Sequence, residues 1–167
     1  MKWFLTFVFF LFINSAAWAN GGQSDEISPG DALPTFSVLS NTGKAVSPSS
    51  LKGKPAMIIF FHTKCFDCRK ELPTIQLLYE KYKHEITFLA ISRAQSSLEI
   101  EDYWKTNGLK IPYSAQEDKS VFRFFAKKTI PRIYICDADG IVQKVFVEKV
   151  GKRRLERSLR RLFDFEN

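Results

Sequence analysis

Cysteine, histidine and long apolar runs are all scarce in this chain. Three cysteines, Cys65, Cys68 and Cys136, spread over 167 residues do not form the framework that staples small exported domains. The only histidines are His62 and His84. A four-ligand zinc site would have to draw on them and on Cys136 to supplement the Cys65/Cys68 pair, so no metal site is expected. Eight glycines and seven prolines exclude a collagen-like fibre, and 45% hydrophobic residues exclude a disordered chain. No apolar run approaches the roughly 20 residues of a bilayer-spanning helix. The longest, residues 3–13, follows Lys2 and leads into Ala17-Trp18-Ala19. That is the pattern of a cleaved export signal ending before Asn20. No cysteine lies near residue 19, so lipid anchoring is not expected. Past the signal, residues 20–28 are small and polar and read as a flexible lead-in. Residues 29–167 have the length of one domain with one core, and no internal repeat divides them.

Acidic charge is also in deficit: 25 Lys and Arg against 18 Asp and Glu give a net charge of +7 and a pI near 9.4. An exported protein rarely meets nucleic acid, and none is expected here. The cations concentrate near the C-terminus, where Leu155, Leu159, Leu162 and Phe163 recur at helical spacing among six basic residues of positions 152–161. This is a terminal amphipathic helix with a solvated basic face. The alternative reading is contact of this helix with anionic lipid headgroups or with an acidic partner; an uncleaved signal would be a further route to a membrane.

Periodicity places the remaining elements. A short hairpin is predicted at residues 35–39 and 44–46 around Asn41-Thr42-Gly43. Residues 56–61 are apolar throughout, as in a central strand buried on both faces. From Cys65 the spacing of Leu72, Ile75, Leu78 and Tyr82 becomes helical, with a kink expected at Pro73. A strand over 86–92, a helix over 97–106, an extended piece around 111–114 and a helix over about 119–126 follow. Two strands, 132–137 and 141–147, flank the turn Asp137-Ala138-Asp139-Gly140, and the basic helix ends the chain. The order is that of an α/β fold, a central sheet with helices on both faces.

The chemistry lies in Cys65-Phe66-Asp67-Cys68, a C-x-x-C at the switch from the buried strand to the long helix. That spacing serves redox cycling or half of a metal site. At a helix start the unpaired N–H groups and the positive dipole end face the Cys65 sulfur and favour its thiolate. Cys68, one turn on, can attack a mixed disulfide formed at Cys65. Cys65 is thus the expected nucleophile and Cys68 the resolving thiol. Cys136 reads as a small buried hydrophobe outside the cycle.

The segment Phe60-Phe61-His62-Thr63-Lys64-Cys65-Phe66-Asp67-Cys68-Arg69-Lys70-Glu71-Leu72-Pro73 resembles the active-site pattern of TlpA-like and ResA-like thiol-disulfide oxidoreductases of the AhpC/TSA-redoxin type. Residues 29–36 and 51–55 are similar to that family's lead-in, and residues 129–140 to its G-T-P-T-T-F-L-I-D-x-D-G segment. The resemblance implies a thioredoxin-like fold, a mixed sheet flanked by helices with an N-terminal hairpin extension. It implies a periplasmic bacterial reductase of protein disulfides that needs no cofactor, is often engaged in cytochrome c maturation, and draws electrons from a membrane-bound thiol carrier. It also implies that Glu71 assists proton removal from Cys68, and that a cis Pro131 and the backbone of Ile130 hold an extended substrate. This sequence departs from the family at Lys64, where tryptophan is usual, and at His62, where alanine is usual. Lys64 is either a thiolate-stabilising cation or a solvated rim lysine. His62 is either a proton exchanger or an ordinary loop residue. Asp67 disfavours a second thiolate at Cys68. Three other functions compete, one of them a redox-inert thioredoxin-like interaction protein, which the intact Cys65/Cys68 pair disfavours. A peroxiredoxin would carry threonine where His62 stands. A copper-delivery module would need a C-x-x-x-C and a late histidine.

Overall fold

The computed structural model describes residues 26–163; the export-signal segment and positions 20–25 of the lead-in lie outside them. Five strands make one mixed sheet: β3 (Ala56–Phe61), β4 (Thr87–Ser92), β5 (Tyr113–Ser114), β6 (Arg132–Cys136) and β7 (Val142–Val147), in the order β5-β4-β3-β6-β7. The pairs β3/β4 and β4/β5 run parallel, while β3/β6 and β6/β7 run antiparallel. The helices are α1 (Phe66–Tyr82), α2 (Ser97–Thr106), α3 (Ser120–Phe125) and α4 (Lys152–Phe163). A separate hairpin, β1 (Val38–Leu39) with β2 (Ala45–Val46), precedes the sheet.

Strand alternation sorts the apolar residues of β3 onto two faces. Met57, Ile59 and Phe61 join a cluster with Leu72, Ile75 and Leu78 of α1, Ile100 and Trp104 of α2, and Leu155 and Leu159 of α4. Ala56, Ile58 and Phe60 join the other, with Val121, Phe122 and Phe125 of α3 and with Phe36 and Val38 ahead of and within the hairpin. Every residue of β3 is buried, which is why its sequence is apolar without interruption. Phe60 packs against Phe125 at 4.8 Å and Phe122 at 5.3 Å between centroids, while Phe61 on the opposite face meets Trp104 at 4.8 Å.

Two sequence expectations change in detail. The hairpin strands are two residues each, shorter than expected. Residues just before them bond elsewhere: Leu33 N–H donates to Gly140, and Asp31 accepts from Val142, which ties this segment to the start of β7. The second change is the lead-in, which is held from Glu26 onward. Ile27 N–H donates to Phe125 at 2.9 Å, and the Glu26 carboxylate accepts from Lys127 N–H and from Arg132, each at 2.9 Å. Pro73 lies inside α1 as expected; it is exposed, and the bond it cannot make, to the carbonyl of exposed Arg69, falls toward solvent.

Two registers position the functional residues. Phe61, the last residue of β3, pairs with Ser92, the last of β4; Phe60 pairs with Arg132, the first of β6. The loops after β3 and β4 and the loop before β6 therefore meet at one end of the sheet.

Candidate active site

Cys65 is the N-cap of α1, in extended conformation, and its sulfur accepts the N–H of Cys68 at 3.4 Å. A thiolate in that position gains both a donor and the positive end of a 17-residue helix. The Cys65 thiol donates to the Ile130 carbonyl at 3.7 Å, and the Ile130–Pro131 peptide bond is cis. Ile130 and Pro131 therefore stand across from Cys65. Cys65 is half-buried and Cys68 fully buried. Burial pushes the Cys68 thiol well above the ordinary range; the hydrogen bond with Cys65 adds to this, and Asp67 contributes least. The expected effect of Asp67 is present but minor.

Lys64 does not face the sulfur. Its ammonium pairs with the Glu99 carboxylate of α2 at 2.6 Å and stays largely in solvent. Of the two sequence readings, the rim lysine describes its position. His62 shapes the turn into Cys65: its carbonyl accepts the Cys65 N–H at 3.0 Å, and its Nδ1 accepts the Lys64 N–H at 3.1 Å. Burial, with the cations of Arg93 and Lys64, holds this imidazole below its usual range. A neutral ring is the form that keeps Nδ1 as an acceptor.

Glu71 is fully buried on α1. Its Oε2 accepts the Val150 N–H at 3.0 Å, and both its oxygens accept the Gly151 N–H at 3.2 Å. Those donors immediately precede α4, and Gly151 takes φ +81°, a turn that a side chain would strain. The carboxylate assigned from sequence to a proton thus also caps the last helix.

Sequence reading missed a clamp beneath the loop. Thr63 N–H donates to Gln95 Oε1 at 3.0 Å, the Gln95 amide returns a bond to the Thr63 hydroxyl, and both residues are buried. Arg93 N–H donates to the Phe61 carbonyl at 2.8 Å. No spacing rule could find these residues, because only the β3/β4 register brings them together. Phe66, beside the nucleophile, is 68% exposed, with the Lys70 ammonium 3.7 Å from its ring centroid. Cys136 is buried on β6 opposite Ala56, far along the sheet from the pair. Burial, helped by Asp137, pushes its thiol up to about 12. Among the described residues, no three His, Cys, Asp or Glu side chains gather as a metal-holding group. No described helix is long and apolar enough to cross a membrane.

Comparison with known proteins agrees with this arrangement. The AhpC/TSA family pattern matches residues 29–145. The thiol-disulfide oxidoreductase ResA of Bacillus anthracis is 26% identical over 141 residues, covering 84% of this chain and 82% of the relative. The thioredoxin-like protein YneN of Bacillus subtilis is 24% identical over 165 residues, covering 95% and 96% of the two chains. Among solved structures, a thiol:disulfide interchange protein of the thioredoxin family from Chlorobium tepidum superposes with a TM-score of 0.69 at 28% identity. It covers 81% of this chain and 97% of its own. A strand-to-helix C-x-x-C with a half-buried first cysteine, a buried second and a cis-proline opposite, on a five-stranded mixed sheet, together with the family match, places the chain in the AhpC/TSA family as a thioredoxin-fold thiol-disulfide oxidoreductase.

Proposed function

We propose that the chain is an exported reductase of protein disulfides, with Cys65 as nucleophile and Cys68 as resolving thiol. The observation that carries this reading is the asymmetry of the pair: Cys65 half-exposed with its sulfur on the Cys68 N–H, Cys68 buried beneath it. The Cys65 thiolate attacks one sulfur of a substrate disulfide, forming a mixed disulfide and expelling the other substrate sulfur as a thiolate that takes up a proton. Cys68 then loses its proton and attacks the Cys65 sulfur. The Cys65–Cys68 disulfide forms and the second substrate thiolate leaves. Two electrons and two protons have passed from the dithiol to the substrate. The raised Cys68 thiol keeps it protonated until the mixed disulfide forms, so a proton acceptor is needed at resolution. Glu71, one turn on and hydrogen-bonded to the Val150 and Gly151 N–H groups, is the carboxylate proposed for it. Ile130 and the cis Pro131 hold the substrate backbone in extended form.

The N-terminal pattern of residues 1–19 supports export to the periplasm. The resemblance to ResA-like proteins supports a membrane-bound thiol as electron donor and apocytochrome c disulfides as a substrate class. Trapping tests the assignment. Cys68→Ser should accumulate mixed disulfides with a protein substrate, visible as a mass shift removed by reductant, and Cys65→Ser should accumulate none. Accumulation by Cys65→Ser alone would reverse the two roles.

A further inference from the structure

The surface that the redox chemistry leaves unused is α4. Two of its residues, Leu155 and Leu159, are buried in the core beside α1, and this fixes which way the rest of the helix points. Lys152, Arg153, Arg154, Arg157, Arg160 and Arg161 are all exposed. The one acid of the helix, Glu156, is largely engaged by α1: its carboxylate accepts from the Lys81 ammonium at 2.7 Å and the Tyr82 hydroxyl at 3.1 Å, with the Arg160 guanidinium 3.9 Å away. The outward charge of α4 is therefore almost wholly positive along about 18 Å of helix. Arg153, Arg157, Arg160 and Arg161, with the edge of Glu156, line an open depression of about 420 Å³. Guanidinium groups match phosphate oxygens in paired geometry.

We propose that α4 is a docking face for an anionic phospholipid surface. The alternative occupant, a folded acidic protein, is disfavoured by what the helix lacks. Specific protein interfaces depend on a few aromatic or Arg anchors seated in packed, desolvated pockets; the arginines of α4 stand exposed around an open depression, and none of the large exposed hydrophobic residues among the described positions lies on α4. Charge without anchors suits a fluid array of phosphates, which attracts each nearby cation without demanding a matched shape. The placement also suits a working enzyme. Glu71 binds the start of α4 one turn beyond Cys68, and Glu156 reaches Lys81 and Tyr82 at the far end of α1. Arg160 and Arg161 thus lie toward the end of α1 away from Cys65, and adsorption leaves the cysteine rim open.

Vesicle co-sedimentation tests this with the chain from Asn20 onward, which keeps every element and core residue described above. It should bind vesicles of mixed phosphatidylglycerol and phosphatidylcholine, fail to bind phosphatidylcholine alone, and be released by about 0.5 M salt, where screening is short-ranged. R153E/R157E/R160E/R161E should lose roughly fivefold in partitioning for each cation removed, at least about 100-fold in all. A control of equal charge change, K52E/K105E/K119E/K128E, should stay within about tenfold of the parent. Both variants should still reduce a small disulfide, which establishes that they are folded. Equal loss in the two variants would reduce the effect to net charge and overturn the proposal. So would equal binding to phosphatidylcholine, no binding to the anionic vesicles, or full displacement by soluble poly-glutamate at matched charge.

Discussion

The His62 carbonyl accepts the Cys65 N–H directly, and burial with the nearby Arg93 and Lys64 cations holds the imidazole below its usual range. Because its folded value is depressed, the bond from Lys64 N–H to Nδ1 persists at neutral pH and weakens as pH falls through that lowered value. The ¹H–¹⁵N titration of His62 should therefore have its midpoint below 6.5, and a midpoint at or above 6.5 would remove the buried neutral ring from the loop's architecture. The residue scale is also where sequence reading did best. Cys65 and Cys68 stand in the expected relation because they are tied to a local signal, a C-x-x-C at a strand-to-helix switch, whereas the cis Pro131 is expected only from the resemblance of residues 129–140 to the family segment. Lys64 shows the limit. Its neighbour in sequence is Cys65, yet its charge goes to Glu99, a partner 35 positions away, and no local rule weighs a long flexible side chain's choice between two such partners.

Between elements, the connections are made by buried carboxylates and amides. Glu71 joins α1 to the entry of α4. Glu71→Ala leaves two N–H groups without their acceptor and should lower stability by about 1–3 kcal/mol, measured by denaturant unfolding. Glu71→Gln keeps an oxygen for those donors but removes the negative charge and the basicity. It should fold with a smaller loss and change the pH dependence of turnover. An unchanged pH–rate profile in a folded Glu71→Gln would leave Glu71 as a helix cap only. The Glu26 attachment is a second connection. The Arg132 side chain is 7% exposed and its guanidinium meets Glu26, while the Lys127 N–H, first among the causes, and Arg132 hold the Glu26 carboxyl below its usual range. That depressed value means the attachment contributes stability above the ordinary carboxylate range and loses it as pH falls toward the lowered one. Glu26→Ala should speed hydrogen exchange at the Lys127 amide and lower stability by roughly 1–3 kcal/mol; an unchanged exchange rate would return the segment to a loose lead-in. Helix and strand positions were legible because their apolar periods are strong, that of Leu155, Leu159 and Leu162 in α4 above all. These cross-links were not, since a polar lead-in such as Glu26 carries no periodic signal and gains its partner only when β6 arrives beside it.

For the molecule as a whole, the two faces of the sheet hide the thiols of Cys68 and Cys136 and the phenol of Tyr134. Burial pushes Cys136 and Tyr134 each up to about 12, and Cys68 is raised as well. Groups whose folded values are raised give stability that is complete below the unfolded thiol range and is lost as pH climbs toward the folded one. The reduced protein should thus weaken between about pH 9 and 12, and the oxidised protein less steeply because Cys68 no longer titrates. Equal slopes for the two redox forms, read from unfolding midpoints against pH, would argue that Cys68 is not held as a buried thiol. The antiparallel register of β3 with β6 has one more consequence. It sets Cys136 opposite Ala56, at the opposite end of β3 from the loop that carries Cys65 and Cys68. Five strand residues at about 3.3 Å each separate those ends by roughly 16 Å, whereas a bridge needs Cα atoms within about 7 Å. The third sulfur is insulated from shuffling: however often the working pair opens and closes, the native sheet offers it no wrong partner within the chain.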